Sequence, residues 1–422
     1  MRRILSHWFA KLFSVKIFNT NERLNMRNIK IGELKKHIIL FDKAHVPLMI
    51  YGTFGIGKSD IVRSSAKDKA KKFSDRKFID WMSADDSTKL DALKNPSKYF
   101  ALIDIRLSQL EPSDIRGIPN IFNTQDIPCL QTIPWSWVMY ITRPNACGTL
   151  FLDEINLAPP QIAASAYQVI NDRVISDRHI SDGINIVAAG NTALDTDIVY
   201  DMPNPLKDRF AEIQVTFDAE SWLNDWAVIH CHPMIVSFCS FKQSWIHHTF
   251  SDSADKNVTP RGIERASKIL NMFVGDKAGD ITISPFMFDA IAGCLGNGWT
   301  VQFKAYLSVY RNLDFEKILK NPEIITNAEE YNIERRYAII GGCTERILSI
   351  SDDKKISTET KYKRIADLMK VLCYLPSNLF VLAWKQLHAQ GKSKIILSVI
   401  AKNLDCYELL QARHSEVLNK IV

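Results

Sequence analysis

The chain has 422 residues, 46% of them apolar and 24% charged. That length predicts two or three domains, and that composition excludes a disordered, collagen-like or disulfide-scaffold chain. Net charge is +6, but the first 30 residues hold seven basic groups and one acid, Glu22, leaving 46 basic against 46 acidic residues beyond them; nucleic-acid binding is unsupported by this overall balance.

Eight cysteines at 129, 147, 231, 239, 294, 343, 373 and 406 are scattered singly, with no Cys-x-x-Cys pair, which reads as reduced thiols in a cytoplasmic protein. No apolar run approaches the roughly 20 residues of a membrane span. The segment Met1 to Phe18 is basic and amphipathic. It reads either as a membrane-surface or targeting peptide or as an over-extended start, with Met26 just before the first well-patterned segment. The second reading is preferred, so residues 1–30 are expected to be a dispensable leader.

From Ile31, apolar residues at Leu34, Ile38, Ile39 and Phe41 give a helical pattern, and the run from Val46 to Gly52 reads as a buried strand entering a glycine-rich turn. Residues 60–72 then suit a helix exposed on one side. Three more β-rich apolar runs follow, Phe100 to Leu107, Gly148 to Ile155 and Gly183 to Asn191. Strands separated by helical patterns imply a parallel sheet covered by helices on both faces. Past about residue 220 helical periodicity dominates, as in residues 262–273, 285–295, 301–313, 335–348 and 361–375. Ser349 to Thr360 reads as a polar loop. The expected organisation is a leader at 1–30, an α/β core at 31–220, a helical lid at 221–345 and a C-terminal helical region at 346–422.

Gly52-Thr53-Phe54-Gly55-Ile56-Gly57-Lys58-Ser59 fits G-x-x-x-x-G-K-[ST] in full, after a strand and before a helix. Backbone N–H groups of such a loop turn inward around a phosphate, the helix N-terminus adds a favourable dipole, Lys58 brings mobile positive charge and the Ser59 hydroxyl is a ligand for Mg²⁺. The strand Leu150-Phe151-Leu152 ends in Asp153 and Glu154. Asp153 is placed to hold the same Mg²⁺, and Glu154 to orient and deprotonate an attacking water. Asn191 ends the next apolar run, where its amide can position that water or simply form a turn. Arg209 reads as an arginine reaching a neighbouring subunit's γ-phosphate, or as a surface ion pair with Asp208. Arg261, in Thr259-Pro260-Arg261, opens a helix from which it can contact phosphate. The fold class expected is therefore an α/β P-loop NTPase core with a parallel sheet, followed by all-helical regions.

Together these residues resemble the AAA+ ATPases, and within them the MoxR-like branch. Glu111-Pro112-Ser113-Asp114-Ile115-Arg116-Gly117 is similar to that branch's Pro-Ser-Asp-Ile-x-Gly, and Leu152 to Pro160 is similar to its Asp-Glu-Ile-Asn-Arg-Ala-Pro-Pro, with Leu157 standing where Arg is usual and Thr192 where Pro is usual. Asp208-Arg209-Phe210 and Thr259-Pro260-Arg261 match as second-site and lid arginines. The resemblance spans roughly residues 31–280 and implies a ring, usually hexameric, with ATP at subunit boundaries. It also implies chaperone-like remodelling of a protein client, often with a von Willebrand A-type partner.

Two further patterns compete with this reading. His230-Cys231-His232, with Cys239, His247 and His248, contains metal-capable side chains but no standard zinc spacing, and reads as a structural cluster. Thr88-Lys89-Leu90-Asp91 has the form of a guanine-reading motif, yet it precedes Asp153 instead of following it, so ATP is preferred to GTP. The leading expectation is an ATP-hydrolysing motor; a nucleotide-gated scaffold with little turnover and a nucleic-acid motor are its rivals.

Overall fold

A sheet of seven strands, all parallel, organises the first half of the chain in the spatial order Ile29–Lys30, Ala211–Thr216, Leu48–Tyr51, Ile184–Gly190, Cys147–Asp153, Tyr99–Arg106 and Lys77–Asp80. The computed structural model describes residues 28–124, 127–191, 207–249, 255–275, 281 and 283–421. The leader up to residue 27 and Thr192 lie outside the described residues, so their expected roles stay expectations.

The sheet strands are β1 (Ile29–Lys30), β2 (Leu48–Tyr51), β3 (Lys77–Asp80), β4 (Tyr99–Arg106), β7 (Cys147–Asp153), β10 (Ile184–Gly190) and β11 (Ala211–Thr216). Two antiparallel hairpins stand apart from it, β5 (Ile118–Thr124) with β6 (Ile127–Ile133), and β8 (Val174–Ile175) with β9 (Arg178–His179). The connecting helices are α1 (Leu34–Lys43), α2 (Lys58–Lys71), α3 (Asp86–Lys94), α4 (Pro112–Arg116), α5 (Ser136–Ile141) and α6 (Pro160–Asn171). β4 is apolar almost throughout because it is covered on both sides: Phe100, Ala101, Leu102 and Ile103 are wholly buried. This is the three-layer P-loop NTPase core with a parallel sheet, followed by a helical region.

The chain divides into two compact units, residues 28–53 with 58–216, and residues 54–57 with 217–421. The second unit is helical. A segment through Ala219–Ser221, Trp222–Ala227 and Val228–His230 leads into α7 (Pro233–Phe241), α8 (Pro260–Asn271), α9 (Pro285–Arg311) and α10 (Phe315–Lys320). Then come α11 (Ile333–Asp352), α12 (Thr358–Cys373), α13 (Ser377–Ala389), α14 (Ser393–Lys402) and α15 (Leu404–Ile421). α9 is two helical stretches that meet at a kink at Gly296, whose φ is 81°, and the patterns read at 285–295 and 301–313 fall on either side of it. One sequence expectation is corrected. The expected loop from Ser349 shrinks to residues 353–357: Ile347 and Ile350 stay buried, Ser351 donates its hydroxyl to Ile347 O at 2.6 Å, and Ser357 caps the next helix.

Of the histidines and cysteines near residue 231, Cys231, His232 and Cys239 are buried as ordinary core, whereas His230 is exposed and His247 and His248 are partly buried. His232 Nδ1 accepts from Met234 N–H at 3.1 Å and so caps α7, and burial holds the imidazole's pKa down to about 4 from 6.5. Burial pushes the neighbouring Cys231 thiol up to about 12. Among the described residues no group of three or more His, Cys, Asp or Glu is placed to hold a metal, and Cys147, Cys231, Cys239, Cys294, Cys343, Cys373 and Cys406 are free thiols. No helix among them is long and apolar enough to cross a membrane. Because unfolding releases His232 to take up a proton, its contribution to stability is complete above about pH 6.5 and is lost as pH falls towards 4. Urea unfolding is expected to show a loss of about 2 kcal/mol between about pH 7.5 and about pH 5 that His232→Asn, which keeps a capping oxygen and does not titrate, lacks.

Candidate functional site

The sheet brings four chain segments to the carboxyl edge of its strands, where open α/β sheets present their ligand sites. β2 runs into Gly52, β7 ends at Asp153, β10 runs into Asn191, and Ser108 lies just beyond β4. β10 stands between β2 and β7, with Gly190 paired to Tyr51 on one side and Ala188 to Leu152 on the other. The loop and the acids are therefore separated by one strand, and that strand delivers Asn191 between them.

Lys58 opens α2 and is buried, 7% exposed. Its ammonium donates to Gly52 O at 2.5 Å, Thr53 O at 2.9 Å and Asn191 Oδ1 at 3.2 Å. Gly55 and Gly57 adopt φ of 75° and 98°, a backbone that residues with a Cβ rarely take, and these reversals let a loop turn its N–H groups inward. Ser59 Oγ donates to Asp153 Oδ2 at 2.8 Å. A hydroxyl and a carboxylate facing each other across such a loop are the hard oxygen donors that Mg²⁺ prefers, so the residues fit that ion.

Glu154 follows Asp153 in the left-handed region, φ 55°, a conformation that costs a non-glycine residue roughly 1 kcal/mol and tends to sit at functional sites. The turn is tied by its own N–H donating to Asp153 Oδ1 at 3.0 Å. It points the Glu154 carboxylate at Ser108, whose hydroxyl donates to Oε2 at 2.6 Å. Asn156 fixes the neighbouring corner: its Nδ2 donates to Asn191 O at 2.7 Å, and Asn191 N–H donates back to Asn156 Oδ1 at 3.1 Å. Glycine at 190 is required for this approach, since a Cβ there would stand 2.7 Å from Asn156 Oδ1. Asn156→Ala strands one N–H and one C=O of Asn191, and thermal unfolding is expected to register a loss of about 1–2 kcal/mol.

Behind the acids, Arg63 on α2 bonds Asp80 on β3 and, at 2.7 Å, Asp104 on β4. Burial raises the Asp104 pKa, the Arg63 guanidinium opposes that rise, and the Asp153 carboxylate reinforces it. The same arginine thereby clamps the helix that carries Lys58 and Ser59 to two strands of the sheet.

Of the residues singled out from the sequence, the structure gathers Gly52, Thr53 and Asn191 around the Lys58 ammonium and pairs Ser59 with Asp153, with Glu154 tied to Asp153. Arg209 is exposed and lies 3.8 Å from Asp208. Arg261 is exposed at the first turn of α8, which Thr259 caps by accepting from Gly262 N–H at 3.1 Å. Ser108, Asn156, Arg63 and Asp104 were not singled out. Asn156 lies within the Asp-Glu-Ile-Asn stretch, and Ser108 is the first hydroxyl beyond an apolar strand, so both carried a faint signal. The guanine-type pattern has another use: Thr88 donates its N–H and hydroxyl to Asp85, the cap of α3, while Asp91 accepts from Tyr99 and Asn95. A cavity of about 880 Å³ lined by Arg76, Arg143, Arg173 and His179 opens where β7 and β10 begin, away from this site. Arg76 and Arg173 already spend guanidinium donors on backbone carbonyls there.

A parallel sheet with a Gly-x-x-x-x-Gly-Lys-Ser loop at the end of one strand and paired acids at the end of another belongs to the P-loop NTPase fold class. No protein-family model matches the sequence, and no curated protein matches it. Among solved structures the chain is similar to NtrX from Brucella abortus in complex with ADP, with 13% identity and a TM-score of 0.37 over 86% of this chain and 72% of that one. It is also similar to the Aeropyrum pernix ORC2 protein, at 12% identity and TM-score 0.33 over 94% and 98%, and to C. elegans PCH-2, at 11% and 0.28 over 65% and 68%. These superpositions are loose, and the assignments below rest on the chain's own residues.

Proposed function

We propose that the chain is an AAA+ ATPase of the MoxR-like branch that binds and hydrolyses ATP at the loop of residues 52–59. The observation that carries this reading is the convergence on Lys58: three oxygen acceptors gather a buried ammonium at the carboxyl edge of the sheet, beside the facing Ser59 and Asp153. That ammonium is free to exchange carbonyl partners for phosphate oxygens, which bind it more strongly because they are charged. Ser59 and Asp153 are the residues that would hold Mg²⁺, which when bound neutralises phosphate charge. Glu154 accepts the proton of the attacking water, with Ser108 keeping its carboxylate aimed. Asn191 accepts from Lys58 through its Oδ1, and its amide is assigned the orienting of that water.

Arg209 is assigned the role of an arginine supplied across a subunit boundary, and Arg261 that of a phosphate contact from the helical unit. Assembly into a ring, hexameric in the branch resembled, and remodelling of a protein client, with a von Willebrand A-type partner as the leading candidate, complete the proposal. A mixing experiment tests the ring. Arg209→Ala should bind ATP normally yet turn over about 10³-fold more slowly, and titrating it into wild type should depress the activity of wild-type neighbours beyond simple dilution. Activity that falls only in proportion to the dilution places the arginine on the surface.

A further inference from the structure

The even balance of 46 basic and 46 acidic residues beyond residue 30 conceals a sharp segregation. Residues 354–422 hold twelve basic and five acidic groups, whereas residues 31–353 hold 34 basic and 41 acidic. The positive excess thus sits on the last four helices.

Packing within the second unit gathers part of that excess. Lys392, just before α14, pairs with Asp352 at the end of α11 at 2.5 Å, Lys361 on α12 donates to Ser351 O at 3.2 Å, and Lys402 at the end of α14 lies over the Tyr362 ring at 4.9 Å. These ties set the loop before α12, the first turns of α12, and α14 side by side. Lys354, Lys355, Lys363, Arg364, Lys394 and Lys402 are all exposed there, and none of the six forms an ion pair with another of the described residues. The acids nearest in sequence are Asp353, Glu359, Asp367 and Asp405; Asp405 pairs with Lys370, and none of the four pairs with any of the six.

We propose that this face of α12 and α14 is a docking surface for the sugar–phosphate backbone of a nucleic acid. The apolar sides of the two helices are already spent in the core, through Ile365, Leu368 and Met369 on α12 and Ile396, Val399 and Ile400 on α14. What is left outward is charge without an apolar stripe, which suits a polyanion in water and offers a lipid bilayer nothing to bury. Helices that are packed and tied by Lys392, Lys361 and Lys402 hold the cations in place before binding, which limits the ordering cost.

The test is fluorescence anisotropy of labelled single-stranded and duplex oligonucleotides of about 30 nucleotides, with the full chain, across salt from about 50 to 200 mM. Four to six phosphate contacts predict a slope of log K against log salt of about −4 to −5, or roughly a 10²- to 10³-fold loss over that range. The double variant Lys363→Glu, Arg364→Glu should bind at least about tenfold more weakly with a slope shallower by about two, while keeping its circular dichroism and its ATP turnover. Lys354→Glu with Lys355→Glu, in the loop, gives a second reading that does not depend on helix stability. No binding of either oligonucleotide at about 50 mM salt overturns the proposal, as does equal binding by both variants. Loss of self-association on charge reversal, seen by sedimentation without any oligonucleotide bound to wild type, also overturns it and identifies a second copy as the partner.

Discussion

Lys58→Ala is expected to abolish measurable ATP binding, weakening it by at least about 10²-fold, or roughly 3 kcal/mol, when titrated by calorimetry. The ammonium is 7% exposed and is the point on which Gly52 O, Thr53 O and Asn191 Oδ1 converge. Truncation leaves these three acceptors facing one another with no donor between them, and it removes the charge that would answer the β- and γ-phosphates. Ser59 and Asp153 are joined by their own 2.8 Å hydrogen bond, which does not need the ammonium as donor or acceptor, so the loss should fall on phosphate binding. Unchanged affinity in this variant would move the phosphate site elsewhere.

Glu154→Gln should give the opposite division, with ATP bound nearly as in wild type and turnover slowed by about 10²- to 10⁴-fold. The amide matches the carboxylate in size, and its carbonyl oxygen can still accept the Ser108 hydroxyl that now lies 2.6 Å from Oε2. It cannot take a proton. Single-turnover measurement with radiolabelled ATP separates the two steps: nucleotide should remain on the variant and persist uncleaved. Near-normal cleavage would assign the base to another residue.

The strands that frame the site were legible because a parallel strand buried on both faces is an apolar run. β2 and β10 fall within the runs read from the sequence, and β4 and β7 begin one residue before theirs. Their order was not legible, because β10 enters between β2 and β7 and its pairing with β2 joins residues more than a hundred positions apart, such as Val187 with Leu48. The same distance in sequence hid Ser108, whose partner Glu154 is 46 positions away, and the Asn156–Asn191 exchange, 35 positions apart. Neither serine nor asparagine carries a charge or a glycine signature that marks such a role locally. β3 and the β8–β9 hairpin were not read at all, since β3 has four residues and β8 and β9 have two each, too short for a period to register; the seven-residue strands of the β5–β6 hairpin were missed because Pro119, Asn120, Asn123 and Pro128 are weak strand formers. In the helical unit the reverse error occurred, since the polar residues Ser349 to Asp352 continue a helix whose other face, at Ile347 and Ile350, stays in the core. Polar composition described that helix's outer side and not its end.

Phosphate release from ATP by wild-type protein, measured beside Glu154→Gln with bound nucleotide quantified in both, tests the central claim most directly. The site described here predicts magnesium-dependent release by wild type, and a variant that retains ATP but releases phosphate at least about 10²-fold more slowly. Wild-type protein that binds no ATP, or a variant that releases phosphate at the wild-type rate, would contradict it.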